Sequence, residues 1–98
     1  MSSYEIILQP SAVDDLDTLR KYDSARIANA MERHLEHEPA KESKSRIKRL
    51  RGIDNPDYRL RVGDYRVFYV IDEVAHQVVV LRVMHKEETQ SYYEELQR

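Results

Sequence analysis

The segment YRLRVGDYRVFYVI, residues 58–71, decides the fold predicted for this 98-residue chain. Large apolar residues alternate with their neighbours on both sides of Gly63-Asp64, which is the pattern of two strands that each bury one face. A glycine followed by an aspartate between such runs predicts a two-residue hairpin, because a type II′ turn needs positive φ at its first central position. The register that follows places Arg61 directly opposite Arg66.

This register sorts the hairpin side chains onto two faces. One face is apolar and suits packing against helices; it carries Tyr58, Leu60, Val62, Tyr65, Val67 and Tyr69. The other, here called the arginine face, carries Arg59, Arg61 and Arg66 around Phe68. Like charges opposed across two strands are destabilising, so these arginines need an anion, either carboxylates and solvent or the phosphate of a ligand. A guanidinium binds phosphate well through two parallel hydrogen bonds, but it is a poor proton acceptor.

The rest of the chain predicts an α+β fold, in which an N-terminal strand and a helical hairpin pack on one face of a small antiparallel sheet. A short C-terminal helix or tail completes it, and residues 1–98 form a single domain. The predicted elements, from apolar periodicity and proline positions, are a strand over Tyr4 to Leu8, a helix over Pro10 to Tyr22, a second helix capped by Asp23 or Ser24 and ended by Pro39, a mobile basic loop over Ala40 to Gly52, a strand over Val78 to Met84, and a helix over Glu87 to Gln97.

Composition narrows the functional classes. The chain has no cysteine, which excludes disulfides, thiolate metal sites and thiol nucleophiles. Its apolar runs, such as Val78 to Leu81, are far short of a membrane span, and Met1-Ser2-Ser3 does not resemble a signal peptide. We therefore expect a cytoplasmic protein with no metal, cofactor or membrane partner. The net charge of −2 hides an uneven distribution, because residues 41–66 carry nine lysines or arginines against four acids. A polyanionic partner would therefore contact a local basic patch and not a uniformly attractive surface.

Other candidate site residues lie in three places. Basic residues that could contact RNA, or simply be solvated, are Lys44, Arg46, Lys48, Arg49 and Arg51 in the loop and Arg82 in the last strand. His85 ends that strand and can titrate near neutral pH, although a strand-end histidine is as often merely exposed. Tyr92 and Tyr93 offer faces for base stacking, and one of them could equally hold the tail against the core.

Three motifs in this order carry a resemblance to a known family: Leu50-Arg51-Gly52, then the hairpin with Gly63-Asp64-Tyr65-Arg66, then Val80 to Lys86. The chain resembles the RelE/ParE superfamily of type II toxins over nearly its whole length, and within it the RelE branch. That resemblance implies a ribosome-dependent endoribonuclease, or mRNA interferase, which cuts mRNA in the decoding site. A 2′-hydroxyl attacks the adjacent phosphate and leaves a 2′,3′-cyclic phosphate.

The resemblance also implies roles for individual residues. Arg59 and Arg61 resemble paired basic residues of the first hairpin strand, Arg66 the arginine that stabilises phosphate, Lys86 the residue that assists the leaving group, and Tyr92 the stacking tyrosine. Phe68 and Arg82 are expected to contact RNA beside them.

The chain departs from this family pattern at the paired basic positions. Well-studied members carry lysine where Arg59 and Arg61 stand, so proton removal is expected to pass to His85 or to a ribosomal group. Some relatives use a glutamate and histidine pair for this step, and Glu87 and Glu88 lie near His85 in sequence. The expected partners are a cognate antitoxin, the ribosome and mRNA. A ParE-like DNA gyrase inhibitor and an inactive member that only binds RNA or antitoxin are the alternatives.

Overall fold

A computed structural model describes residues 3–97 of the chain. Its elements, in chain order, are β1 (Glu5–Leu8), α1 (Pro10–Asp17), α2 (Lys21–Leu35), β2 (Ile47–Arg49), β3 (Tyr58–Val62), β4 (Tyr65–Asp72), β5 (Gln77–His85), a short 3₁₀ turn (Lys86–Glu88) and α3 (Thr89–Leu96). The α+β fold predicted from the sequence is confirmed. No helix within residues 3–97 is long and apolar enough to cross a membrane.

Five strands form one sheet in the order β1-β5-β4-β3-β2. The predicted hairpin register is confirmed at every pair, including Arg61 opposite Arg66 and Arg59 opposite Phe68. All neighbouring strands are antiparallel except β1, which joins the edge of the sheet parallel to β5. A parallel partner requires a crossover, which α1, α2 and the three strands that follow provide.

The apolar face of the sheet packs against the helices, as the alternation in the hairpin predicts. Ile27, Met31 and Leu35 recur every four residues along α2 and are buried, because this spacing places them on one side of a helix. The core they form with the sheet also contains Ala12, Ile47, Tyr58, Leu60, Val62, Val67, Tyr69, Val78, Val80 and Val83.

The helix boundaries differ from those predicted. The helix expected over Pro10 to Tyr22 ends at Asp17, because the Thr18 hydroxyl and N–H both bond to the carbonyl oxygen of Asp15. Neither Asp23 nor Ser24 caps the second helix, since the extended residue Arg20 precedes its first turn. That helix also ends at Leu35, before Pro39.

Helix α1 lies against the edge of β5 that β1 leaves open beyond Val80. The Ser11 hydroxyl donates to the Leu81 carbonyl, and an Asp15 carboxylate oxygen accepts from the Val83 N–H at 2.9 Å. An exposed strand edge invites unwanted pairing, and here α1 satisfies its polar groups. At the opposite edge, the segment predicted as a mobile basic loop is partly ordered, since residues 47–49 form β2 and pair with β3.

The second face of the sheet carries α3. Tyr92 and Tyr93 from this helix cover the ring of Phe68, with ring centroids 4.9 Å and 5.8 Å away. Toward the hairpin turn this face stays open, since Arg61 is exposed and Arg66 is only partly buried. The candidate site lies in that opening.

Candidate functional site

The hairpin turn determines where the arginines lie. Gly63 has φ of +57°, a conformation that is strained for a residue with a side chain. The two-residue loop fixes the register of β3 and β4, which sets Arg61 directly across from Arg66. Both therefore project from the face opposite the core, together with Arg59, as the sequence predicts.

Arg66 is held in place by the turn itself. Its Nη1 atom donates to the carbonyl oxygens of Gly63 and Tyr65, each at 2.9 Å. Burial lowers the pKa of Arg66, and the charges of Arg59 and Arg61 lower it further. No ion pair in the described part of the chain includes any of these three arginines. The cluster therefore concentrates positive charge that no carboxylate neutralises directly.

Lys86 reaches the same end of the sheet. Its N–H donates to the carbonyl oxygen of Asp64 at 2.7 Å, and its Nζ lies 3.4 Å from Asp64 Oδ1. Both side chains are more than half exposed, and such surface pairs contribute little to stability. Lys86 therefore stays largely exposed to solvent at the hairpin turn, next to Asp64. Asp64 was predicted only as a turn residue, yet it is the carboxylate at this site.

A cleft of about 470 Å³ continues the arginine face between β2, β3 and α3. Lys48 lies directly opposite Arg59 in the sheet, and both line the cleft with Arg51 and Tyr93. Two of the basic residues predicted to contact RNA, Lys48 and Arg51, thus join the arginine cluster through a continuous surface.

The two tyrosines of α3 have different surroundings. Burial raises the pKa of Tyr93, while nearby Arg59 and Arg66 oppose that shift. Tyr92 lies instead over Phe68 and has the Arg82 guanidinium 5.7 Å from its ring centre. Tyr93, which the sequence offered as the alternative, is therefore the tyrosine beside the arginines, and the prediction for Tyr92 is not supported by its position.

Phe68 is a correction to the sequence-based prediction. Its side chain has no exposed surface, because both tyrosines of α3 cover it. Strand alternation placed Phe68 on the outward face correctly, but it could not show that the C-terminal helix returns over that face. Phe68 anchors α3 and has no surface to offer to RNA.

His85 is separated from the arginines by the sheet. It pairs with Tyr65 in the register of β4 and β5, and the two rings meet edge to face at 5.5 Å on the core side. Its Nδ1 accepts the N–H of Glu87 at 3.2 Å, and Glu88 accepts the His85 N–H. His85 thus caps the turn that leads to α3, and a role in proton removal at the arginine face does not fit this placement.

The remaining predicted RNA contacts are dispersed. Arg82 shares the outward face, but it makes two hydrogen bonds to the Asp15 carboxylate, at 2.7 Å and 3.1 Å. Arg49 borders the cleft, but its guanidinium donates to the Tyr58 hydroxyl and lies over the Tyr58 ring. Arg46 lies beside His34 on the helix side of the sheet, and Lys44 is exposed in the preceding loop. Arg82 and Arg49 are thus held by contacts within the chain, and Arg46 and Lys44 lie away from the arginine face.

The chemistry available at this site is electrostatic. The guanidinium groups can bind phosphate oxygens, and the Lys86 ammonium can donate a proton. Within residues 3–97 no group of three or more histidine, aspartate or glutamate side chains could hold a metal ion. Helical spacing could have identified Tyr93. It lies three residues after Gln90 and four before Gln97, so the three share one side of α3, and all three line the cleft.

Comparisons with known proteins concern the whole chain. Residues 6–90 match the sequence profile of a family described as the ParE toxin of the type II toxin-antitoxin system parDE. A comparison with curated proteins gave no match.

Solved structures also resemble the chain. The toxin-antitoxin complex RelBE2 from Mycobacterium tuberculosis contains a chain that is 29% identical, with a TM-score of 0.68 and coverage of 85% of this chain and 98% of that one. The archaeal RelE-RelB complex from Pyrococcus horikoshii gives 29% identity, a TM-score of 0.69 and coverage of 88% and 97%. A free E. coli RelE mutant, at 21% identity and a TM-score of 0.68 over 96% of this chain and 94% of that one, has the same fold.

Proposed function

Because the chain belongs to the RelE/ParE family of toxins from type II toxin-antitoxin systems, we propose that it is a ribosome-dependent endoribonuclease that cuts mRNA in the A site. The observation that carries this proposal is the set of three arginines with Lys86 around one hairpin turn, on the open part of a face. Three arginines that make no ion pair within the described residues are suited to the charge that develops on a phosphate under attack.

The proposed reaction is an internal transfer at phosphorus. The 2′-oxygen forms a bond to the adjacent phosphorus, the bond from phosphorus to the 5′-oxygen breaks, and a 2′,3′-cyclic phosphate remains. Arg59, Arg61 and Arg66 bind the phosphate oxygens as negative charge grows on them. Lys86 gives a proton to the departing 5′-oxygen, and Tyr93 stacks on a neighbouring base.

The proton of the 2′-hydroxyl needs an acceptor outside this cluster. Arginine holds its proton at any physiological pH, and His85 lies on the other side of the sheet. We assign that proton to a group of the ribosome, which also accounts for the proposed dependence on it. A cytoplasmic location and a cognate antitoxin whose acidic side chains cover the arginine face complete the proposal.

A second candidate function is inhibition of DNA gyrase by binding, since the matching family profile is described by the ParE toxin. Binding alone needs no proton transfer, so Lys86 would have no chemical role. The two functions differ in their target and can be separated in cells.

The test is to induce the wild type, Arg66→Ala and the matched variant Lys21→Ala, whose charge lies on exposed α2 surface. The 5′ ends of cellular messages and the topology of a plasmid are mapped in each strain. We expect codon-phased mRNA cuts with the wild type and Lys21→Ala, and none with Arg66→Ala. Linearised plasmid with intact messages would instead establish the gyrase function.

A further inference from the structure

A second basic groove lies on the core side of the sheet, between α2 and the hairpin turn. We call it the helix groove; it has a volume of about 430 Å³. Its polar lining comes from Tyr22, Arg26, Asn29, Arg33, His34 and Arg46. The proposed cleavage chemistry uses none of these residues.

The helical repeat aligns four of the lining residues. Tyr22, Arg26, Asn29 and Arg33 are separated by four, three and four positions, so they form one stripe along α2. At 1.5 Å per residue, the two arginines lie about 10 Å apart along the helix axis. The stripe runs opposite Arg46, and the groove between them is lined by cations on both sides.

The positive charge of the helix groove is not compensated. No carboxylate lines it, and no ion pair among residues 3–97 includes Arg26, Arg33 or Arg46. Burial lowers the pKa of His34, and the charges of Arg46 and Arg33 lower it further. Beyond the end of the groove, Glu38 contacts Lys41 and is not part of the lining.

Tyr22 gives the groove an aromatic surface. Its side chain is 72% exposed, in contrast to most of the chain's tyrosines, which are at least partly buried. An exposed aromatic ring beside a positively charged groove is the arrangement on which single-stranded nucleic acids bind, with phosphates on the cations and a base on the ring.

We propose that the helix groove is a second binding site for single-stranded RNA, with phosphates on Arg26, Arg33 and Arg46 and a base stacked on Tyr22. The groove opens at the hairpin turn, where the Arg26 guanidinium lies so close to Gly63 that an added Cβ would be 2.7 Å from it. Arg61 and Arg66 flank that turn on the other face, so one RNA strand can pass from the arginine face into the groove. RNA as the ligand rests on the proposed function.

The test measures binding of the full chain to a fluorescent 15-nucleotide 2′-O-methyl RNA, which cannot supply the attacking hydroxyl. Each phosphate contact on a single strand contributes about 0.7 to the slope of log affinity against log salt. Arg26→Gln with Arg33→Gln should therefore lower the slope by about 1.4 and weaken binding at least about 10-fold at 100 mM salt. Tyr22→Leu should weaken binding about 5- to 150-fold with an unchanged slope.

Lys21→Gln is the matched control, because it removes one charge from the same helix outside the groove, and its slope should equal that of the wild type. Circular dichroism verifies that each variant is folded, as these side chains are largely at the surface. Unchanged affinity and slope in the double arginine variant would overturn the inference. Tighter binding of a deca-glutamate peptide than of RNA, lost in the same variant, would also overturn it by making the occupant an acidic protein segment.

This test is separable from the proposed function. If messages remain uncut in cells while the helix groove binds RNA as described, the endoribonuclease proposal fails and this inference stands. If messages are cut normally and the groove variants bind RNA as the wild type does, the inference fails and the endoribonuclease proposal stands.

Discussion

Replacement of Arg61 by glutamine should make the fold more stable and should weaken the binding of anions at the arginine face. Arg61 lies directly opposite Arg66 in the hairpin, and no ion pair in the described chain relieves either charge. Like charges in directly opposed positions cost up to about 1 kcal/mol. Since Arg61 is exposed and glutamine keeps a long polar side chain, Arg61→Gln should raise the free energy of unfolding by about 0.2–1 kcal/mol.

Urea unfolding followed by circular dichroism measures this gain. At 20 mM salt the midpoint should increase, and the melting temperature should rise by about 1–8 °C for a domain of this size. At 1 M salt the Debye length falls to about 3 Å, so most of the gain should disappear. Phosphate should stabilise the wild type more than Arg61→Gln, because the folded wild type binds the anion more strongly.

The control is Lys44→Gln, which removes an exposed charge in the loop before β2 and should change stability by less than about 0.5 kcal/mol. A loss of stability in Arg61→Gln, or a gain that persists in 1 M salt, would refute the idea that the arginines repel each other. Equal stabilisation of both proteins by phosphate would refute the idea that the cluster binds anions.

Three further predictions concern packing and charge elsewhere in the chain. Phe68→Ala should cost about 3–5 kcal/mol in urea unfolding, because the ring is fully buried beneath α3; a cost below about 1 kcal/mol would contradict its structural role. Asp15→Asn should cost about 1–3 kcal/mol, because that carboxylate accepts hydrogen bonds from both main chain and side chain of β5, while Asp14→Asn on the exposed side of α1 should leave unfolding unchanged. Arg46→Gln should raise the pKa of His34 towards its ordinary value in an NMR titration, since the lowered pKa of His34 comes from burial and then from Arg46. In the wild type, stability that depends on His34 is complete above pH 6.5 and falls as the pH drops below it, because the unfolded state takes up the proton first; a flat profile between pH 7 and 5 would contradict this.

The hairpin could be predicted from the sequence because its information is local. Strict alternation and the Gly63-Asp64 turn fix both the register and the face of each side chain. The three arginines of the candidate site follow from this register alone. The same reasoning placed the apolar residues of β3 and β4 against α2, as the structure has them.

Features that depend on distant segments could not be predicted in this way. Strand alternation shows that Phe68 and Arg82 face outward, but their partners are Tyr92 and Asp15, each more than twenty residues away. The pairing of β4 with β5 shifts by one residue between Phe68 and Tyr69. This shift changes which residues of β5 face the core, so simple alternation along β5 could not show that His85 lies on the core side. Short strands such as β2 leave almost no periodic signal, because three residues complete little more than one alternation.

The proposed function requires the arginine face to bind the phosphate at which mRNA is cut. The most direct measurement is single-turnover cleavage of mRNA on purified ribosomes by the wild type and by Arg66→Ala, with analysis of the new 3′ end. We expect a 2′,3′-cyclic phosphate and a rate at least about 100-fold lower in the variant, the usual loss when one group that stabilises the transition-state charge is removed. A variant that cuts as fast as the wild type, or a wild type that leaves programmed mRNA intact, would contradict it.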